Sequence, residues 1–112
     1  MNTGDYVRTK KGKIVNIIDK KFDDTLLIDL YTTDKNYYLM EIDIIKSSPN
    51  IIDLIEVGDY VNGVLVESIY QREKDKLYIH SFDTEIMMCF TNNNIKSIVT
   101  REMFESIKYE VE

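Results

Sequence analysis

The chain has 112 residues, a formal net charge of −6 and one cysteine, Cys89. A single thiol excludes an internal disulfide and a cysteine-rich zinc site, and a single histidine, His80, leaves little scope for metal chemistry. The acidic balance argues against general binding to nucleic acid or to an anionic membrane.

The sequence shows no feature that directs a protein into or across a membrane. No apolar run is long enough to span a bilayer, and the polar start Met1–Thr9 lacks the pattern of a signal peptide. We therefore expect a cytoplasmic protein that does not contact membranes.

Short segments of the first half return in the second half in the same order. Gly4-Asp5-Tyr6-Val7 returns as Gly58-Asp59-Tyr60-Val61, Ile45-Lys46-Ser47 returns as Ile95-Lys96-Ser97, and Ser48–Ile55 aligns with Thr100–Ile107. Three matches in register indicate an internal duplication. We predict a first repeat over residues 1–57 and a second over residues 58–112, packed closely as one body because no flexible linker separates them.

The first repeat reads as four short strands. The first begins at Gly4–Val7 and ends in a turn at Thr9–Gly12, and the later strands are predicted at Lys13–Asp19, Leu26–Tyr31 and Tyr37–Ile42. The second repeat has a tighter first turn. Its Asn62-Gly63 pair is the strongest short signal for a β-hairpin, since both central residues must adopt positive φ. Matching strands are predicted at Val64–Tyr70, Leu77–Phe82 and Glu85–Phe90.

Each repeat then shows a helical turn. Ser48 and Thr100 are residue types that cap helices, and Pro49 suits a first helical position. Closing strands are predicted at Glu56-Val57 and Lys108–Glu112. The pattern favours a mostly β fold of two tandem SH3-like small barrels. One barrel built from all the strands is the alternative.

The fourth strands are apolar on both faces, as in Ile86–Phe90 and Tyr37–Met40. A strand with one solvated face should alternate apolar and polar residues, so both faces are expected to be covered. The sister repeat, a second copy of the chain in a homo-oligomer, or a partner or ligand could cover them. Cys89 belongs to one of these apolar strands and is interpreted as a small buried apolar residue. His80 alternates with the apolar Leu77 and Ile79 and is interpreted as a surface residue.

A cluster of cations near the start is the main candidate site. Arg8, Lys10, Lys11 and Lys13 lie together on one hairpin, and Tyr37 is among the tyrosines that could stack on a base. These five residues predict a small anion or nucleotide site. The alternative is that acids of the same chain, such as Asp5 or Asp19, neutralise the cations.

The sequence carries no catalytic motif, no metal-ligand cluster and no phosphate-binding loop. A general base would need a partnered acid and a nucleophile nearby, and none can be assembled around His80 or Cys89. We therefore expect a non-enzymatic protein with no catalytic residues, no metal and no cofactor.

Two stretches resemble uncharacterised phage and prophage proteins of AT-rich Gram-positive bacteria, clostridia especially. They are Ser48–Gly63, at the junction of the repeats, and Ile95–Val111, at the end. The resemblance implies a small accessory protein in a bacterial host, and such proteins often act in counter-defence. The expected role is to block a host defence protein or to sequester its nucleotide signal. A structural or regulatory SH3-like adaptor of a phage is the alternative.

Overall fold

The structure is a computed structural model that describes residues 1–81 and 86–107, with only the backbone described for Ile86, Ser106 and Ile107. The closing strand predicted at Lys108–Glu112 therefore lies outside the described residues. Within them the chain is mostly β, with open sheets and short helical turns, as the sequence predicts at this coarser level.

The first half forms one antiparallel sheet of five strands. They are β1 (Tyr6–Thr9), β2 (Ile14–Asp23), β3 (Ile28–Thr33), β4 (Tyr38–Leu39) and β5 (Ile44–Ser48). Their order in the sheet is β4-β3-β2-β1-β5. Five buried residues form its core, namely Val7, Val15, Ile17, Tyr31 and Leu39. Val15 and Ile17 alternate with half-buried residues along β2, and Val7 pairs with Val15, so these three side chains lie on one face of the sheet.

The second half forms two sheets of three strands. Its strands are β6 (Tyr60–Val61), β7 (Val64–Leu65), β8 (Ser68–Arg72), β9 (Lys76–Ser81), β10 (Ile86–Thr91) and β11 (Ile98–Val99). The sheet orders are β10-β9-β8 and β11-β6-β7. The last strand thus pairs with the first strand of its half, as β5 pairs with β1.

The turn between β6 and β7 confirms the hairpin predicted from Asn62-Gly63. Asn62 has φ 52° and Gly63 has φ 81°, and β6 pairs with β7 directly across the turn. Both central residues therefore occupy the left-handed region that a tight two-residue hairpin requires.

Helical structure is shorter than predicted at the end of the first half. The predicted helix over 48–55 is a 3₁₀ helix at Ile51–Leu54, and a second such turn at Glu41–Asp43 was not predicted. Ser48 lies before the helix, ends β5, and accepts a hydrogen bond from the Asn50 backbone N–H (3.0 Å). Pro49 is likewise outside the helix, and Glu56-Val57 form no strand. Only two residues of this run, Ile52 and Leu54, are buried, which suits a single 3₁₀ turn.

The end of the second half has a true α-helix, α1 (Arg101–Ile107). Thr100 precedes it and its hydroxyl accepts the Met103 backbone N–H (3.2 Å), which is the expected capping bond.

The two halves repeat local hydrogen bonds at matching positions. The Gly4 N–H donates to the carbonyl of Ile17 (2.7 Å). At the matching place the Gly58 N–H donates to the carbonyl of Val66 (2.8 Å). The same backbone arrangement thus opens both halves.

The aspartates of the repeated Gly-Asp-Tyr-Val segment also make the same local bond. A carboxylate oxygen of Asp5 accepts the Asn2 N–H (2.9 Å), and one of Asp59 accepts the Glu56 N–H (2.8 Å). Identical short sequences therefore form identical turns in the two halves, because these bonds involve only residues three positions apart.

The second core takes residues from the first half. Its buried members are Ile52, Ile55, Val61, Val66, Leu77, Ile79 and Phe90. Ile52 and Ile55 belong to the 3₁₀ helix and the residue after it, so the junction between the halves is itself part of a core. Burial of this apolar surface is what holds the junction against the second half.

One face of each fourth strand is exposed in the single chain, so the sister repeat does not cover both faces. The other covers expected from the sequence, a second copy of the chain and a partner or ligand, stay predictions. In β4, Leu39 is buried whereas Tyr38 is 66% exposed. In β10, Phe90 is buried whereas Met87 is 52% exposed. Cys89 is exposed as well, so the interpretation of this thiol as a buried residue is wrong. Strand alternation, which the apolar sequence concealed, sets these side chains on the outer face.

Candidate functional site

The turn between β1 and β2 borders a groove of about 410 Å³ that we name the lysine groove. Its lining residues are Thr9, Lys10, Lys11, Lys13, Tyr37, Tyr38, Leu39 and Asp43. Four of the five residues predicted as an anion site, Lys10, Lys11, Lys13 and Tyr37, thus come together here.

Backbone hydrogen bonds hold the lysines of this turn in place. The Lys10 N–H donates to the carbonyl of Asp43 (2.9 Å), which ties the turn to the 3₁₀ helix at Glu41–Asp43. The Gly12 N–H donates to the carbonyl of Thr9 (2.9 Å), and the Lys13 N–H donates to the Thr9 hydroxyl (3.1 Å). A turn fixed in this way holds the backbone of the lysines in place, so only their side chains remain to be ordered on binding.

The three lysines have no carboxylate partner within 4.0 Å among residues 1–81 and 86–107. By contrast, Lys20 and Lys46 each form an ion pair with an acid of the chain. The predicted alternative, neutralisation by Asp5 or Asp19, therefore does not apply to the lysines in the described part of the chain. Unpaired cations at one groove produce a local positive potential on an acidic protein.

Arg8 lies elsewhere, in a buried ion pair. Its guanidinium donates to both carboxylate oxygens of Asp59 (2.5 and 2.8 Å), to the carbonyl of Leu54 (2.8 Å) and to Glu102. The side chains of Arg8 and Asp59 are both fully buried. Arg8 therefore joins the two halves and α1, and it is not exposed to an incoming anion.

The charge of Arg8 is retained inside this network. Burial by itself lowers the pKa of the guanidinium, but the hydrogen bonds and charges of Asp59 and Glu102 outweigh burial and leave this pKa above its ordinary value. Asp59 also accepts the backbone N–H groups of Glu56 and Arg101, both at 2.8 Å. The buried charges are thus compensated by well-oriented partners, as buried ions require.

Tyr37 forms a wall of the lysine groove. The Nζ atom of Lys13 lies 5.3 Å from the centre of its ring, within the range of a cation–π contact. The Tyr37 hydroxyl is buried and has no hydrogen-bond partner among the described residues. Burial, together with the charge of Asp34, raises the pKa of this hydroxyl. Tyr37 therefore keeps its proton at neutral pH and has an unused donor.

The other three tyrosines of the first half, Tyr6, Tyr31 and Tyr38, have different environments. Tyr38 is exposed at the lysine groove and its ring is open to a ligand. Tyr31 is buried in the first core, and its hydroxyl donates to Glu41 (3.3 Å), so its ring cannot stack on a base. Tyr6 lines a neighbouring groove.

This neighbouring groove, of about 640 Å³, runs between the two halves and is named the central groove. Its lining includes Tyr6, Lys13, Ile14, Asn16, Asp34, Lys35 and Tyr37 from the first half, Ile51 from the junction, and Ile95, Lys96, Ser97, Ile98 and Met103 from the second half. Lys13 and Tyr37 belong to both grooves. The two grooves are therefore neighbours along one surface.

Sequence reasoning missed Lys35 and Lys96. Lys35 lies in the turn before Tyr37, where its proximity to a candidate residue was a usable signal. Lys96 comes from the second half, where its backbone N–H donates to the Asn62 side-chain oxygen (2.7 Å), and it meets the first half only at the lining of the central groove. No local pattern indicates that contact, because it depends on how the halves pack.

His80 and Cys89 lie on the outer face of the β8-β9-β10 sheet. His80 is half-buried and pairs in register with Met87, and Cys89 pairs with Tyr78. Within residues 1–81 and 86–107, no three His, Cys, Asp or Glu side chains are grouped so as to hold a metal ion. The described helices are also too short and polar for any of them to cross a lipid bilayer.

The exposure of Cys89 leads to a direct prediction. A thiol reagent should label Cys89 in the native protein at a rate within about tenfold of the unfolded chain, because the Sγ atom is accessible. The rate can be measured by absorbance in buffer and in guanidinium chloride. The Cys89→Ser variant supplies the baseline, as no other cysteine is present. Labelling that requires unfolding would contradict the exposed position.

Comparison with protein-family models, with curated proteins and with solved structures finds no match to this chain.

Proposed function

We propose that this chain is a non-enzymatic binding protein that holds a phosphate-bearing ligand of the nucleotide class in the lysine groove. The observation that carries the proposal is the convergence of Lys10, Lys11 and Lys13 on one groove beside the Tyr37 ring, without carboxylate partners among the described residues. Ammonium groups attract phosphate, and an aromatic wall stacks on a base.

The buried network around Arg8 supports this proposal indirectly. Arg8 and the lysines are close in sequence, but the fold uses Arg8 for packing and leaves the lysines to solvent. The rigid turn is thus anchored at its base by an ion pair and exposed at its tip. Such a tip is suited to recognition, because little backbone ordering remains to be done on binding.

The finer fold that we propose is a pair of SH3-like repeats over residues 1–57 and 58–112. The sheet of the first half has the order β4-β3-β2-β1-β5. The second half matches it strand for strand, as β10-β9-β8 followed by β7-β6-β11, if β7 and β8 together correspond to the long strand β2. The repeated bonds at Asp5 and Asp59 also support it. In this arrangement the lysine groove lies at the first hairpin of the first repeat.

The biological role that we propose follows from the resemblance to phage and prophage proteins. Such a protein would act in counter-defence in the cytoplasm of the bacterial host by sequestering a nucleotide signal. It would need no catalytic group, since tight binding alone lowers the free concentration of the signal.

A thermal-shift experiment tests this proposal. Nucleotides, ADP-ribose and cyclic oligonucleotides should each be added at a concentration well above the micromolar range. A ligand present at 100 times its Kd stabilises the native state by about 2.7 kcal/mol, which raises Tm by several degrees. The triple variant Lys10→Glu, Lys11→Glu, Lys13→Glu should lose this rise because its groove repels phosphate.

The matched control changes the same number of charges elsewhere. The variant Lys21→Glu, Lys74→Glu, Lys76→Glu alters exposed lysines outside both grooves, and it should retain the ligand-induced rise. If both triple variants lose the rise in Tm equally, the net charge of the protein, and not the lysine groove, determines ligand binding. No rise for any ligand with the wild-type protein would overturn the proposal.

A second candidate function is supported by the tip of the β2–β3 hairpin. Phe22, Leu26 and Leu27 are 54%, 60% and 73% exposed there. The Asp23 carboxylate accepts the N–H groups of Thr25 (2.8 Å) and Leu26 (2.9 Å), so the turn that presents the leucines is ordered. Exposed apolar side chains on an ordered tip are typical of protein contact. The second candidate function is therefore binding to another protein through this tip, either to block a host defence protein or to act as a phage adaptor.

A further inference from the structure

The lysine groove and the central groove share a wall. Lys13 and Tyr37 line both, and the Lys13 ammonium lies over the Tyr37 ring. A ligand that contacts this pair from the lysine groove has the central groove directly ahead of it. The lysine groove has a volume of about 410 Å³ and the central groove one of about 640 Å³. Each is in the range of a small-molecule site, so the two together have room for more than one nucleotide.

Unpaired cations border both grooves. Lys10 and Lys11 border the lysine groove, and Lys35 and Lys96 border the central groove. Like the first pair, Lys35 and Lys96 form no ion pair within the described residues. Lys13 borders both grooves. Cations distributed over two adjoining grooves match successive phosphates better than a single phosphate group.

The two acids of these grooves are already engaged by backbone groups. Asp34 accepts the Asn16 N–H (3.0 Å), and Asp43 accepts the Met40 N–H (3.1 Å). The Asp34 carboxylate is thereby held against β2, and the Asp43 carboxylate is held against its own 3₁₀ turn. Five lysines against two engaged carboxylates leave the combined surface cationic.

The lining of the central groove is suited to bases. Ile14, Ile98 and Tyr6 contribute apolar and aromatic surface to this lining. Bases stack on such surface without requiring a particular sequence. The chain as a whole has a net charge of −6 and the grooves are cationic, so the acidic surface outside them would repel a long polyanion that extends beyond the grooves.

We infer that the ligand is a short oligonucleotide, with two or more phosphodiester-linked nucleotides, that spans both grooves and passes Lys13 and Tyr37. This inference rests on the proposed function and adds that the second half of the chain contributes to the site through Lys96. Linear and cyclic oligonucleotides share the required chemistry.

Titration calorimetry on the full chain tests the inference. The probes are a mononucleotide, linear dinucleotides and trinucleotides of the same base, and their cyclic counterparts. The wild-type protein should bind at least one linear or cyclic oligonucleotide about tenfold or more tightly than the mononucleotide. In the variant Lys35→Glu, Lys96→Glu this advantage should disappear, whereas Lys74→Glu, Lys76→Glu should retain it.

The outcomes separate the two proposals. Mononucleotide and oligonucleotides of equal affinity would overturn the two-groove inference and leave the nucleotide site in the lysine groove. A length advantage that survives Lys35→Glu, Lys96→Glu would also overturn it. Failure of every probe to bind would overturn both proposals. Circular dichroism should show that each variant is folded, and single variants at Lys35 and at Lys96 replace the double variant if it is not.

Discussion

Replacing Asp59 by alanine is expected to lower the free energy of unfolding by about 3–5 kcal/mol. The substitution leaves the fully buried Arg8 guanidinium without its bidentate partner, and it also removes the acceptor of two backbone N–H groups. Removing one partner of a buried ion pair costs far more than the pair was favourable, and the remaining partner of Arg8, Glu102, is only partly buried. Urea unfolding at neutral pH, followed by circular dichroism, measures the loss.

The duplication supplies a matched control for this substitution. Asp5 occupies the same place in the first half and makes the same local bond, but it has no arginine partner among the described residues. Asp5→Ala should therefore cost only about 1 kcal/mol, the typical value of one hydrogen bond. Equal losses in the two variants would mean that the Arg8 network contributes little. If Asp59→Ala does not fold, Asp59→Asn, which retains the shape and one acceptor, should give an intermediate loss.

The contrast between Asp5 and Asp59 also shows how far sequence reasoning reaches in this fold. Both belong to the repeated Gly-Asp-Tyr-Val segment, and the turns that they stabilise could be predicted because they depend on residues three positions away. The Arg8–Asp59 bond joins residues 51 positions apart. Nothing in the local pattern around Arg8 distinguishes it from the lysines that follow, so it was placed with them in the candidate site.

The same limit applies to the grooves. Lys10, Lys11 and Lys13 share one turn, so their convergence could be read from the sequence. Lys96 reaches the same surface only because the Asn62 side chain binds its backbone and the two halves pack together. Packing between distant segments is set by many weak contacts, and no single residue type indicates it.

The second large effect is expected at Gly12. Its φ of 85° lies in the left-handed region, and a Cβ atom there would meet the Thr100 hydroxyl, the Cβ of Glu102 (2.7 Å) and the backbone N of Met103 (2.8 Å). Gly12→Ala should therefore cost the strain of the left-handed conformation, about 1–2 kcal/mol, and about 1–3 kcal/mol more for overpacking. It should also weaken the hydrogen bond from the Thr100 hydroxyl to the Gly12 carbonyl.

Gly63 separates these two contributions. Its φ of 81° is nearly that of Gly12, but apart from its chain neighbours no heavy atom of the described residues lies within 4 Å of the position that a Cβ would occupy. Gly63→Ala should cost only the conformational strain. The difference between the two variants in the free energy of unfolding, measured with urea, therefore gives the cost of crowding where α1 approaches the first hairpin. Equal costs would show that α1 moves away easily. A larger cost at Gly12 means that the cap of α1 is held against the turn that carries the lysines, and therefore that the second half supports the geometry of the lysine groove.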